Sequence, residues 1–135
     1  MINLLDVSAI QRRAKALAAQ LGKRDFNIRS SSTHDGSPHI EVLDDVYPFV
    51  VCERGAEMER RTSKDLDDLL FWILENLTSN LAWNFELKHR RDSEDSRRQA
   101  FAKQTELLSL LSPKWGERQK AAQEEILMRY PFRDS

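Results

Sequence analysis

The residues best equipped for acid and base work stand close together: Glu53, Glu57 and Glu59 lie beside Arg54, Arg60 and Arg61. With His39 upstream, Glu53 and Glu57 form the set a small hydrolase or nuclease would use. Strand alternation would place Glu57, Glu59 and Arg61 on one face and Met58 and Arg60 on the other. Opposite charges paired across an exposed sheet give the same pattern without chemistry. An exposed ribbon also lacks the burial that tunes a catalytic carboxyl group. The cluster therefore reads as surface pairing, and no catalytic residue is expected.

Other chemistry finds less support. His34, His39 and His89 are separated by five and fifty residues, with a single cysteine and no HExxH spacing, so no metal site is expected. There is no GxxxxGK[ST], GxGxxG or GxSxG, and four glycines leave little for a phosphate cradle. No cofactor or small-molecule substrate is expected. Cys52 ends the apolar run Phe49-Val50-Val51-Cys52 and reads as a buried small hydrophobe, with no partner for an internal disulfide.

The elements that carry these residues follow from periodicity and caps. The ribbon runs into one long apolar helix. Thr62 or Ser63 can cap it, and Asp65, Asp67 and Asp68 crowd the positive end of its dipole, so a start near residue 63 is predicted. Leu66, Leu69, Leu70, Ile73, Leu77, Leu81 and Phe85 recur at spacings of three and four, while Phe71, Trp72, Leu74 and Trp83 widen the apolar surface. The remaining wet line would be Glu75, Ser79, Ala82 and Glu86, with Asn76, Asn80 and Asn84 beside it. Trp72, Trp83 and Trp115 are expected in the core.

Upstream, Val7, Ile10, Ala14, Leu17 and Leu21 make an apolar helix face from about Asp6 to a stop at Gly22. The segment MINLLDVSAIQRRAKALAAQ reads as an amphipathic helix rather than a secretion signal. Residues 26–30 and 39–43 alternate and are joined by a segment containing Asp35-Gly36, which predicts an antiparallel hairpin. Asp44-Asp45 then turns into Tyr47–Glu53, and Arg54-Gly55-Ala56 turns into Glu57–Arg61. Pro48 suggests an edge, or a position without a ladder bond. Downstream, Asp92 or Ser93 would cap a helix over 94–111, and Ser112-Pro113 would open a last helix through Tyr130. The expected fold is α+β: an N-terminal helix, a four-stranded antiparallel meander and three C-terminal helices packed on one face. At 135 residues it is expected to be a single domain, 1–135. No run of about 18 apolar residues offers a membrane span, and cytoplasmic residence is the expectation.

Charge narrows the class of partner. Residues 41–68 hold nine acids against four bases, a net of minus five, inside a chain whose total is minus one. An acidic middle opposes phosphate backbones and favours a basic protein partner, so nucleic acid is not expected.

Further motifs give a resemblance. Glu53-Arg54-Gly55 with Glu57, the acidic start Asp65 to Asp68, Leu69-Leu70-Phe71-Trp72-Ile73 and Glu86-Leu87-Lys88-His89-Arg90 fall in one order. They continue with Arg97-Arg98, Phe101 to Leu108 including Gln104, Trp115, Ile126-Leu127 and Pro131-Phe132. Together, over roughly residues 47–134, these resemble bacterial polymorphic-toxin immunity proteins of the immunity protein 63 type. The resemblance implies a small cytoplasmic antidote, encoded beside a toxin gene, that binds its toxin domain one to one and is not an enzyme. More finely, it looks like the partner of a Rhs-type ADP-ribosyltransferase toxin that modifies elongation factor Tu, of the kind used with type VI secretion in bacterial competition. On that basis the acidic loops would dock on a basic toxin cleft, with Asp44, Asp45, Tyr47, Arg54, Glu57 and Glu59 as contacts. Two alternatives are an adaptor that recruits a protein through Lys88 to Arg98, and the hydrolase above.

Overall fold

A computed structural model describes residues 5–135 and contains seven elements: α1 (Val7–Gln20), β1 (Asp35–Ile40), β2 (Tyr47–Glu53), β3 (Ala56–Ser63), α2 (Leu66–Lys88), α3 (Ser96–Leu111) and α4 (Pro113–Arg129). The class is α+β, with four helices and one antiparallel sheet ordered β1–β2–β3. The chain divides into two compact units, Met1–Leu74 and Glu75–Ser135, and α2 contributes residues to both. Residues 1–4, which open the amphipathic stretch read from the sequence, lie outside the described residues.

In the first unit, α1 begins where Asp6 accepts the amide of Ala9 at 2.8 Å. It ends in a Schellman arrangement: Lys23 N–H donates to Ala18 and Gly22 N–H to Ala19, with Gly22 at φ 87°. Ile10, Ala14 and Ala18, four residues apart, are its fully buried line. The predicted first strand is not formed. Residues 26–30 give one isolated parallel bridge, Arg29 to His39, through Ile40 N–H to the Arg29 carbonyl at 2.9 Å. The cause lies in the next residues, whose side chains take the amides that a hairpin would pair. Ser32 Oγ accepts from His34 N–H at 3.0 Å, and Asp35 Oδ1 accepts from Ser37 N–H at 2.9 Å and Thr33 Oγ1 at 2.6 Å. Asp35-Gly36 therefore opens β1 instead of turning a hairpin, and the meander has three strands.

β2 occupies the centre of the sheet, so Pro48 is not on an edge; it is the strand's second residue, and its carbonyl accepts from Glu41 N–H at 3.1 Å. Tyr47, Pro48, Phe49 and Val50 are consecutive and all buried, so both faces of β2 are covered. Cys52 is buried and free. β3 continues through Thr62 and Ser63, which consumes the two expected helix caps. Asp65 caps α2 instead, accepting from Asp67 N–H at 2.9 Å, while Ser63 Oγ supports it by accepting from Asp65 N–H. Leu69, Leu70, Phe71, Ile73 and Leu74 are buried, and Trp72 packs its ring 6.4 Å from that of Phe49.

In the second unit the expected wet line of α2 is wrong at two places: Ala82 and Glu86 are each 1% exposed, while Trp83, Asn84 and Leu87 are exposed. Glu86 tolerates burial because Arg90, one turn on, grips its carboxylate at 2.8 and 3.1 Å. Trp83 thus leaves the predicted core, which Trp115 joins. Asp95, not Asp92 or Ser93, caps α3; Ser93 sits at φ 64° in the turn before it. Ser112 caps α4 with Pro113 in its first turn. Three buried amides donate inward: Gln104 to the Glu75 carbonyl at 3.0 Å, Gln119 to Gln104 at 3.2 Å, and Gln123 to the Phe101 carbonyl at 3.1 Å, while the Gln119 Oε1 accepts no hydrogen bond. Gly116 lies so near Ser109 that a Cβ would overlap its side chain and come within 3.1 Å of its Cα.

Candidate interaction surface

Strand pairing decides which charges meet. Asp44-Asp45 forms a two-residue turn closed by Leu43 N–H to the Val46 carbonyl at 3.1 Å, immediately before β2. Tyr47, the first residue of β2, lies opposite Ser63, the last of β3. The Asp44-Asp45 turn is thereby brought to the sheet end where α2 begins, beside exposed Asp65 and Asp67 and half-buried Asp68, which accepts from Ser63 Oγ at 2.8 Å. Sequence reasoning counted these aspartates but did not join the two groups, since some twenty positions separate them and only β2–β3 register brings them together.

The opposite end carries the β2–β3 turn. Arg54 and Gly55 have φ of 52° and 81°, the two positive values of a type I′ turn, between paired Glu53 and Ala56. Seven residues of β2 at roughly 3.3 Å each set the ends about 23 Å apart. Asp44 and Asp45 thus do not share one compact patch with Arg54, Glu57 and Glu59.

Between the ends, a bulge at Met58 changes the predicted faces. Cys52 pairs with Glu57 but Val51 with Glu59, so Met58 is the extra residue and Glu57 and Glu59 fall on opposite faces of β3. On one side Glu57 accepts from Arg60 at 2.8 Å, and Arg60 also reaches Glu41 at 3.4 Å, whose other contact is His39 Nε2 at 3.2 Å. On the other, Glu59 accepts from Arg61 at 2.8 Å, and the Arg61 guanidinium lies 6.0 Å from the centre of the Trp72 ring. The hydrogen bond from Arg60 holds the Glu57 carboxyl below its ordinary pKa, and the reciprocal bond raises Arg60. Charge on β3 is largely compensated there, and the acidic excess sits at the Asp44–Asp68 end.

Of the expected contacts, Asp44, Asp45, Arg54 and Glu57 are exposed and Glu59 is half-buried. Tyr47 is 3% exposed, and its hydroxyl accepts from Leu5 N–H at 3.0 Å; it is a core residue. The hydrolase set is only partly assembled: His39 and Glu57 join one chain of contacts through Glu41 and Arg60, while Glu53 stands at the turn. His39 is buried against Glu41, and the carboxyl groups whose pKa moves, Asp25, Asp35, Glu57, Glu86, Asp95 and Asp134, all move down because a neighbouring side chain hydrogen-bonds the ionised form. A general acid needs the reverse shift. Among the described residues no three His, Cys, Asp or Glu side chains are grouped as metal ligands. No described helix is long and apolar enough to cross a membrane.

The charged connection at Lys88–Arg98 is spent internally. Arg90 pairs with Glu86, Arg97 with Asp95 and Arg98 with Asp134, each within 2.9 Å. Arg97 also donates to the carbonyls of Tyr130 and Pro131, and Phe132 lies under Arg98 with its ring centre 4.2 Å away. This clasp of the C-terminal segment onto α3 explains the density of arginine without invoking recruitment of another protein.

A family model described as Immunity protein 63 matches residues 44–125, more than half of the chain. No curated protein and no solved structure matches it.

Proposed function

The chain belongs to the immunity protein 63 family, an immunity protein of polymorphic toxin systems and not an enzyme, and from that premise we propose how it meets its toxin. The antidote binds its cognate toxin domain as a one-to-one complex in the cytoplasm, acting as one functional domain over 1–135. Docking is led by the aspartates at one end of the sheet, Asp44, Asp45 and Asp65, against a basic toxin surface. The observation that carries this reading is their convergence at one exposed end while Glu57 and Glu59 are matched by arginines. Unmatched charge steers encounter and rejects wrong partners, whereas matched charge does neither.

Contact extends along β3 from that end toward Arg54. An ordinary specific interface covers roughly 800 Å² per partner, wide enough to span a strand of this length. Side chains rather than strand addition make the contact, because Glu57, Glu59, Arg60 and Arg61 and the Met58 bulge guard the edge against backbone pairing. Tyr47 serves by holding the sheet. In its finer form the proposal names a Rhs-type ADP-ribosyltransferase toxin acting on elongation factor Tu, blocked by occlusion of its cleft.

Calorimetric titration with an inactivated toxin domain from the adjacent gene tests the reading. One-to-one binding in the nanomolar range is expected. No detectable heat at micromolar concentration would remove that toxin as the partner.

A further inference from the structure

The β2–β3 turn holds an arginine where the backbone favours other residues. Arg54 has φ 52°, a region populated by glycine and, among the rest, chiefly by asparagine, aspartate and histidine. The turn is not loose. Arg54 N–H donates to the His34 carbonyl at 2.9 Å, and Asp35 pairs with Glu53 across β1 and β2, so a third segment buttresses what would otherwise be a free hairpin tip. The loop behind it is fixed in turn by the three hydrogen bonds among Ser32, Thr33, Asp35, His34 and Ser37. A conformation unfavourable to the residue is thus locked by its surroundings, which is the pattern of backbone strain retained at recognition sites.

The side chain of Arg54 is uncommitted, which alone is ordinary for an exposed arginine; the tied turn that carries it is what sets it apart. Its neighbours on β3, Arg60 and Arg61, each grip a carboxylate, yet the exposed Arg54 guanidinium has no ion pair or side-chain hydrogen bond among the described residues. Five donors in a planar fork stand unpaired at a rigid tip. The chemistry complementary to that fork is a carboxylate, gripped by two parallel hydrogen bonds.

We infer that Arg54 is a specificity-determining residue that inserts from the buttressed turn and binds an aspartate or glutamate of the toxin. The inference deepens the proposed function and rests on it: the acidic end steers the complex, and the arginine at the other end reads a single side chain.

The test measures affinity for the inactivated toxin domain from the adjacent gene, and thermal stability, for the unaltered chain, Arg54→Asn and Arg54→Lys. Asparagine suits the turn and removes the fork. Its expected signature is a Tm equal to or above the parent's with affinity weaker by roughly 10- to 100-fold. Lysine keeps the charge but not the bidentate geometry, and is expected to fall between them. Parental affinity in Arg54→Asn overturns the inference, as does a loss of affinity that tracks a lowered Tm. Parental affinity in Arg54→Lys overturns the carboxylate fork. Absence of binding by the unaltered chain is a different result, and it defeats the docking proposal itself.

Discussion

Arg54 and His34 are joined backbone to backbone at 2.9 Å, and both hold positive φ, 52° and 56°. The bond ties the tip of the β2–β3 turn to the loop that precedes β1, so the strain of one turn is supported by the other. Gly55, at φ 81° with nothing within 4 Å of where a Cβ would stand, is the turn position with space but without conformational latitude. Gly55→Ala should therefore lower stability by about 1–2 kcal/mol through the backbone alone. Chemical denaturation checks this; an unchanged midpoint would show that the turn relaxes freely.

Asp35 links that loop to pH. Its carboxyl is lowered from 3.8 to about 2, first by the hydrogen bond from Thr33 and next by that from Ser37. A depressed folded-state pKa contributes stability that is present above the unfolded value and is lost as pH falls from about 4 through about 2. Asp134 and Asp95 move in the same direction, so the total curve is composite. The difference between the parent and Asp35→Asn isolates the loop: the variant should be less stable at neutral pH, and the gap should close across that acidic window. A constant gap at every pH would assign the loss to packing.

Gly116 reports the approach of α3 and α4. A methyl group there would overlap the Ser109 side chain and press on its Cα, which a rotamer change alone cannot relieve. Gly116→Ala should cost about 1–3 kcal/mol, the usual range for overpacking, despite alanine's better helix propensity. Ser109→Gly added to it should recover part of the loss. Additive effects in the double variant would place the strain elsewhere.

Asp95 does three things at once. It accepts from Arg97 N–H at 3.0 Å as the α3 cap, pairs with the Arg97 guanidinium at 2.9 Å, and accepts from Arg133 N–H at 2.8 Å in the C-terminal segment. Asp95→Ala should cost about 1–2 kcal/mol from the cap alone and free residues 130–135. Limited proteolysis should then cut after Arg133 faster than in the parent; equal rates would mean that Arg98 and Asp134 hold the segment unaided.

Local signals were readable in the sequence and register was not. β2 was legible to the residue because an apolar run is bounded by Asp44-Asp45 and Arg54-Gly55, and Ser112-Pro113 marked the start of α4. The extra strand at 26–30 failed because alternation is necessary for a strand but not sufficient when Ser32 and Asp35 satisfy the neighbouring amides themselves. Helix starts slipped for a related reason: Ser63 and Ser93 are good caps in isolation, but β3 uses the first and a left-handed turn the second. The Met58 bulge leaves no signature of residue type, so the faces of Glu57 and Glu59 could only be assigned by counting in twos. The clasp was invisible because Asp95 and Asp134 are 39 residues apart.

The same geometry separates steering charges from structural ones. Asp44 and Asp45 are exposed in a tight turn, whereas Glu57 and Glu59 are held by Arg60 and Arg61. Asp44→Lys with Asp45→Lys should leave the denaturation midpoint within about 0.5 kcal/mol of the parent, since a surface turn away from packing tolerates change. It should slow association with the inactivated toxin domain by roughly tenfold or more at low salt, with the difference shrinking as ionic strength rises and the Debye length contracts. Removing a whole pair, Glu57→Gln with Arg60→Gln, should instead leave association nearly unaltered, because the two charges cancel and the net charge does not change. Stopped-flow or surface-resonance rates at two salt concentrations decide between them. If removal of that ion pair slows association and the aspartate reversal does not, the compensated ribbon and not the acidic end is the surface that meets the toxin.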